Sequence, residues 1–290
     1  MLLSVVIPVC NGAATIGVCL NAVFGQQLDR SSFEVIVVDD GSADHTTEVV
    51  SRFPANLLRH DSNRGSTAAR NTGIRAARGE WIAFTDGDCV PSRRWLDLLI
   101  GAARSDASPK EVTGVAGRIV GLPSDAPAAR FASLTGHLDT ERQLSHPTFP
   151  YAYMSNVMYR RVAIDTAGGF DETMRVYATP EFHHRVMSNH GGRMLFESRA
   201  VVLHRHPETW SQYWRQQAGY GAGYGKFMRR HADRFRWTAW REIQAWGAVA
   251  SGLAVAAIPG RGDPALVRRG LAIKRVAQRV GFDRTYWFGG

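Results

Sequence analysis

Trp81-Ile82-Ala83-Phe84-Thr85-Asp86-Gly87-Asp88 reads as an apolar strand that ends abruptly in two carboxylates separated by one small residue. Two anions at the tip of such a strand repel each other and lose solvation near a core, so the arrangement calls for a cation. Hard oxygen ligands select Mg2+ or Mn2+, and these ions keep positions for water and substrate phosphates. The expected ligand is therefore a metal-bound diphosphate. Taken alone, the tetrad also reads as an Asp-Gly turn between strand and helix.

Working outward, Leu2 to Val9 is a near-continuous apolar run ending at the turn Asn11-Gly12, and Phe33 to Val38 is a second, closing on Asp39-Asp40-Gly41-Ser42. Each is followed by a stretch with helical spacing. Apolar runs without alternation suit parallel strands covered on both faces, which predicts a doubly wound α/β sheet. Ligands of such sheets bind beyond the carboxyl ends of the strands, where Asn11, Asp39, Asp40, Asp86 and Asp88 all fall. Further helices are expected over Asp44 to Phe53, Ser66 to Arg78, Ser92 to Arg104 and Glu181 to Ser188. Short strands are expected near Leu57, over Val112 to Val120 and Tyr151 to Tyr159, and as two pieces, Arg193 to Glu197 and Ala200 to His204. Gly121 to Pro150 reads as an acceptor-side excursion whose one regular piece is Ala126 to Leu134.

At these positions the chain resembles the family 2 glycosyltransferases of GT-A fold. The matching pieces are Val5-Val6-Ile7-Pro8-Val9-Cys10-Asn11-Gly12, Val37-Val38-Asp39-Asp40-Gly41-Ser42, Asn63-Arg64-Gly65, Ala69-Arg70-Asn71-Thr72-Gly73-Ile74 and Asp86-Gly87-Asp88. Gly168-Gly169-Phe170-Asp171-Glu172 and Ala200-Val201-Val202-Leu203-His204 follow, so that the resemblance spans residues 2–230. It implies a GT-A type, mostly parallel sheet followed by a helical tail. The implied reaction is inverting, metal-dependent transfer of a sugar from a UDP- or GDP-linked donor to a polysaccharide, lipid-linked or small acceptor hydroxyl. Such transfer needs the leaving diphosphate neutralised and the acceptor hydroxyl relieved of its proton.

Roles then fall to individual residues. Asp88 is expected to hold the metal, His204 to be a further ligand with His206 ranked second, and Asp86 to touch ribose or the donor sugar. Pro8, Val9 and Asn11 would line the base, Asp40 would accept from a uracil-like edge or ribose hydroxyl with Asp39 beside it, and Arg70 would aim a cation at the nucleotide. Asp39-Asp40-Gly41-Ser42 also reads as a helix cap and turn, and His204 as a merely hydrogen-bonded strand-end residue. The family generally carries an acidic pair after its Gly-Gly-Phe-Asp-Glu segment, one member serving as the base. Aligned on Arg185, that pair becomes Ala178-Thr179 here, leaving Glu181 as the candidate catalytic carboxylate. Glu181 equally reads as an acid stabilising a helix N-terminus, with His183 and His184 as fallback bases. The departure motivates an alternative: a donor-binding homologue, catalytically impaired, serving as a regulatory or assembly subunit.

Composition bounds these readings. At 290 residues and 44% hydrophobic content the chain can hold a large α/β domain with an appendage. The division expected is a GT-A domain over residues 1–235, with a nucleotide half 1–105 and an acceptor half 106–235, followed by a helical tail over 236–290. Cys10, Cys19 and Cys89 have no metal-type spacing and cannot all pair, which favours a reducing compartment, and the start enters strand without a secretory signal; a cytoplasmic site is expected. Cys10 and Cys89 adjoin the site and are expected only to pack there.

Residues 1–200 carry 20 basic against 21 acidic side chains and residues 201–290 carry 15 against 5, so the whole excess sits in the tail. Within it, Ile243 to Ile258 has only Gln244 and Ser251 as polar breaks, short and weakly apolar against the roughly 20 apolar residues that a spanning helix needs. Leu266 to Val280 repeats apolar and basic residues at helical spacing. The tail reads as a peripheral membrane anchor or as a solvated basic helix packed on the catalytic domain. No motif supports a nucleic-acid partner, a zinc set or a serine nucleophile elbow. Gly219 to Gly225 misses the dinucleotide spacing and reads as a mobile cover or an irregular link.

Overall fold

The computed structural model describes residues 2–147, 150–174, 177–230, 232 and 237–288. In chain order the elements are β1 (Leu3–Val9), α1 (Ile16–Phe24), β2 (Phe33–Asp39), α2 (Thr46–Val50), β3 (Asn56–Arg59), α3 (Ser66–Ala76), β4 (Trp81–Phe84), β5 (Cys89–Pro91), α4 (Trp95–Ser105) and β6 (Val112–Gly121). They continue with α5 (Pro127–Leu134), α6 (Thr140–Leu144), β7 (Val157–Arg160), α7 (Arg161–Ala167), α8 (Ala178–His190), β8 (Arg193–His204), α9 (Trp210–Arg230), α10 (Ala239–Ala256) and α11 (Gly262–Tyr286). Among the described residues the strands form one sheet in the order β3-β2-β1-β4-β7-β6-β8-β5.

Every residue of β1, β2 and β4 is buried, as apolar runs without alternation require of strands covered on both faces. β1 pairs in parallel with β2 on one side and β4 on the other, and β2 with β3. The chain therefore leaves β1 outward through β2 and β3, then returns to β4 on the opposite flank. That reversal is the switch point at which such sheets open a crevice. Beyond β4 the pairing turns antiparallel, through β7 to β6, and β5 closes against the end of β8. The core joins Val5, Ile7, Val35 and Val37 to Leu20 and Val23 of α1 and to Trp95 and Leu99 of α4. The Trp95 indole N–H donates to Asn156 Oδ1 at 2.8 Å, so its burial leaves no unmet donor.

The chain divides into two compact units, Met1–Val120 with Leu138–Arg205, and Gly121–His137 with His206–Gly290. The expected boundary at 235/236 lies outside the described residues, and the division found is different: residues 121–137 and 206–230 go with the tail. The reason is close helix packing. The run Gly219 to Gly225, expected to be irregular, is continuous helix within α9. A Cβ on Gly221 would stand 1.9 Å from the Gln278 carbonyl oxygen of α11, and one on Gly281 1.9 Å from that of Ala218. Glycine there serves close approach of two helices, which outweighs its low helix propensity.

In this second unit Phe131 and Tyr213 form a small core with Ala128, and Trp210 packs beside them. The Arg279 guanidinium is buried between Glu242 and Asp283 and lies against the rings of Trp237, Trp246 and Phe282, tying α10 to α11. No helix among the described residues is long and apolar enough to cross a membrane. Other departures are local. Residues 193–204 make one strand rather than two, α2 is shorter than expected, and the three-residue β5 is too short to show any periodicity in sequence.

Candidate active site

All of the site residues expected from sequence lie in the first unit except the second-ranked His206. The loops after β1 and β2 are joined by several bonds, among them Asp40 N–H to Val9 O at 2.8 Å, Asn11 N–H to Ser42 Oγ at 2.8 Å, Ala43 N–H to Asn11 Oδ1 at 2.9 Å and Ala13 N–H to Asp44 Oδ2 at 3.0 Å. Asn11 holds φ 51°, a left-handed conformation that asparagine tolerates better than most residues. Gly41 is left-handed too (φ 71°), and a Cβ there would stand 2.5 Å from the Ser62 carbonyl carbon, so only glycine passes. Pro8 and Val9 are buried in β1 beneath this turn.

The two adjacent aspartates have different surroundings. Asp39 is fully buried; Oδ1 accepts from the Ser42 N–H at 3.3 Å and from its hydroxyl, and Oδ2 faces Arg59 Nε at 3.2 Å. Asp40 accepts at Oδ1 from His60 Nδ1 (2.7 Å) and Arg64 N–H (2.9 Å), and at Oδ2 from Gly65 N–H (2.7 Å). Three of the four acceptor positions of that carboxylate are thus used within the chain. His60 continues through Nε2 to Thr72 Oγ1 at 2.9 Å, fastening the β2 turn to α3.

α3 also carries Arg70, which is nearly buried and donates from Nη2 to Asp86 Oδ1 at 2.7 Å. Its Nε is buried without a partner among the described residues. Asp88 follows on the same rim with its side chain 40% exposed, and His204 Nε2 stands 3.9 Å from Asp88 Oδ1. The pairing of Cys89 with His204 across β5 and β8 sets that distance. Burial pushes the Asp88 acid above its ordinary range; His204 opposes the rise and Asp86 adds to it. Ligand atoms of Asp86, Cys89 and His204 lie within 4.8 Å of one another. Mutually repelling carboxylates beside an imidazole fit a divalent ion, with Asp86 still offering the oxygen that Arg70 leaves. Cys89, expected only to pack, brings its sulfur to this group, and burial raises its thiol well above the usual range. Sequence carried no signal of this beyond its adjacency to Asp88.

The acceptor-side segment is fastened to α3 by Asn71, whose Nδ2 donates to Phe170 O (2.9 Å) and Glu172 Oε1 (3.0 Å) and whose Oδ1 accepts from Phe170 N–H (2.8 Å). Arg64 Nη2 adds a bond to Glu172 Oε2 at 2.9 Å. Glu181 lies in the first turn of α8 with both oxygens held by Arg185, at 2.5 Å from Nε and 2.9 Å from Nη2. Arg185 also donates to the carbonyls of Ala167 and Gly169. His183 faces the core, bonded to the Tyr159 hydroxyl at 2.8 Å, and burial, with His184 adding, lowers its pKa to about 4. His184 is exposed. His206, ranked second as a ligand, belongs to the other unit.

Comparison with known proteins agrees with this geometry. The profile described as "Glycosyl transferase family 2" matches residues 4–168. The pre-mycofactocin glycosyltransferase of Mycobacterium tuberculosis is 33% identical over 239 residues, covering 80% of this chain and 48% of that protein. The succinoglycan biosynthesis protein ExoO of Rhizobium meliloti is 34% identical over 182 residues, 59% of this chain and 51% of that protein. The chain thus spans about half the length of these relatives. Among solved structures, the mannosyltransferase PcManGT of Pyrobaculum calidifontis with GDP-Man and Mn2+ has a TM-score of 0.67 at 20% identity, covering 99% of this chain and 88% of that one. S. aureus TarS residues 1–349 with UDP has a TM-score of 0.56 at 19% identity, covering 100% and 92%. At such identities the likeness is one of fold, and that fold is GT-A. With the profile covering more than half of its residues and the acid-tipped strands standing at the switch point of the sheet, the chain belongs to glycosyltransferase family 2.

Proposed function

We propose that the chain moves a sugar from a UDP- or GDP-linked donor to an acceptor hydroxyl, with inversion and with Mg2+ or Mn2+ held by Asp88 and His204. The observation that carries this reading is the convergence of Asp86, Asp88, His204 and Arg70 at the switch point, where Asp86 is held by Arg70 while Asp88 remains half open. When bound, the metal supplies positive charge to the leaving diphosphate. Arg70 holds Asp86 toward ribose or the donor sugar. Asp40 has one acceptor position left for a base edge or ribose hydroxyl, above the wall formed by Pro8, Val9 and Asn11, and Asp39 braces the turn from beneath. The relatives with GDP-Man and with UDP support both donor classes. The acceptor classes in this reading are polysaccharide, lipid-linked or small hydroxyl compounds, and the tail makes peripheral contact at the inner face of the cell membrane. The domain reading remains a GT-A domain followed by a helical tail.

Glu181 is the proposed base. Its grip by Arg185 means that it takes a proton only once that pair opens, and this favours a second reading: a homologue that binds donor without turnover, as Ala178 and Thr179 in place of the acidic pair also imply. Donor hydrolysis with Mn2+, measured on wild type, Asp88→Ala and Glu181→Gln, decides between them. Turnover lost in both variants supports the enzyme with Glu181 as base. Turnover lost only in Asp88→Ala removes Glu181 from that role. Intact nucleotide binding without turnover in the wild type supports the second reading.

A further inference from the structure

Helix α10 is apolar on nearly every side, yet only one strip of it is covered. Ala245, Val249, Gly252 and Ala256 recur at helical spacing as its shielded face, while Trp240, Ile243, Trp246, Leu253 and Val255, with Ile258 just past its end, are each 45 to 65% exposed. No charged residue occurs between Glu242 and Arg261. A helix apolar all round belongs in a core or against lipid, so this face calls for a cover.

The charges around the face say what that cover is. Two arginines of α11 reach across to this stretch: Arg275 Nη1 donates to Ala248 O of α10 at 3.3 Å, and Arg268 Nη2 to Ile258 O, just past the end of α10, at 3.4 Å. Each guanidinium has five N–H donors, so these bonds leave others for a second acceptor. Arg241 lies in the first turn of α10, and Arg261 caps the start of α11. The nearby acids are paired within the unit, Asp263 with Arg130 at 2.8 Å and Glu242 and Asp283 sharing Arg279, so the one carboxylate charge left over is outnumbered by Arg261, Arg268 and Arg275. The border of the apolar face is therefore cationic. A second copy laid on this face would bring arginines against arginines, whereas an anionic lipid surface complements both the charge and the apolar stripe. Tryptophan and isoleucine at the ends suit the headgroup boundary, and no helix of the described residues is long and apolar enough to cross it.

We propose that α10 lies in the plane of an anionic bilayer, with its Ile243, Trp246 and Leu253, and Ile258 just beyond its end, in the acyl boundary and Arg268 and Arg275 against lipid phosphates. This deepens the peripheral membrane contact of the functional reading and rests on it, but not on sugar transfer itself.

The test is flotation of the full chain with phosphatidylcholine vesicles made with and without phosphatidylglycerol. The chain floats with the anionic vesicles, less so as salt rises, and stays behind with the neutral ones. Leu253→Glu and Ile243→Glu, at exposed positions that spare the fold by circular dichroism, lower the partition coefficient at least tenfold, and Arg268→Gln and Arg275→Gln lower it about fivefold each. A natively folded wild type that does not float with anionic vesicles overturns the proposal. So does a Leu253→Glu variant that floats like the wild type, or a dimer abolished by Leu253→Glu in a chain that never floats. Donor hydrolysis measured without lipid is unchanged in Leu253→Glu. Flotation without any hydrolysis in the wild type leaves the membrane proposal standing and sinks the transferase reading alone.

Discussion

Adjacent residues of one motif divide the work between holding the chain and meeting a ligand. Asp39 is spent on Ser42 and Arg59, Asp40 keeps one acceptor position, and Asp88 keeps the most. Replacing Asp88 by Ala is expected to abolish the extra thermal stabilisation that Mn2+ adds to UDP or GDP while leaving the unliganded protein folded. In wild type, nucleotide with Mn2+ at a hundredfold excess over its Kd stabilises by about 2.7 kcal/mol in all, read as a shift in Tm, and the variant loses the Mn2+-dependent part of it. Arg70→Met removes the cation that fixes Asp86 and is expected to weaken nucleotide binding by about tenfold, the loss of one charge-assisted bond, measurable by calorimetric titration. His183 makes a pH-dependent contribution. Its folded pKa, about 4, lies below the ordinary value of 6.5, so the unfolded chain binds the extra proton and stability falls as pH drops between them. Full stability is present above pH 6.5, and the slope in that window approaches about 1.4 kcal/mol per pH unit. His183→Gln keeps a partner for the Tyr159 hydroxyl and removes this slope, which urea titrations at pH 7.5 and 5 would show.

Among the elements, α9 and α11 show how one residue type serves opposite ends. Gly221 and Gly281 sit where any side chain meets the backbone of the facing helix, whereas nothing lies within 4 Å of a Cβ built on Gly219. Gly221→Ala and Gly281→Ala are expected to push the helices apart and destabilise by about 1–3 kcal/mol. Gly219→Ala, on the same helix, is expected to stabilise by about 0.5–1 kcal/mol through helix propensity alone. Opposite signs for neighbouring glycines in thermal unfolding would establish that close packing holds this pair. Sequence could not distinguish the two, because the run looks alike at every position and the partner lies some sixty residues away. The strands were legible for the converse reason. β1, β2 and β4 announce themselves by local apolar runs, while three-residue β5 has too few residues to show a period.

In the molecule as a whole, the two compact units give a nucleotide a defined footprint. UDP or GDP with Mn2+ is expected to slow hydrogen exchange in the turns at 40–43 and 86–89 of the first unit, leaving α10 and α11 unchanged; protection confined to the second unit would contradict the site. What the sequence determined by itself was the doubly wound sheet and the gathering of carboxylates along one edge of it, since both follow from short-range hydrophobic pattern and from where each strand stops. The Glu181–Arg185 pair is an i,i+4 contact within one helix that local spacing already allows, whereas the tertiary structure alone decided which of those carboxylates stay open to a ligand and that the tail begins well before its first basic helix. Those outcomes depend on partners such as Arg59, His60, Arg70 and Gln278. Their approach is set by packing of distant segments, and the hydrogen bonds of His60 and Arg70, the ion pair with Arg59 and the close contact at Gln278 are not recorded by any local pattern.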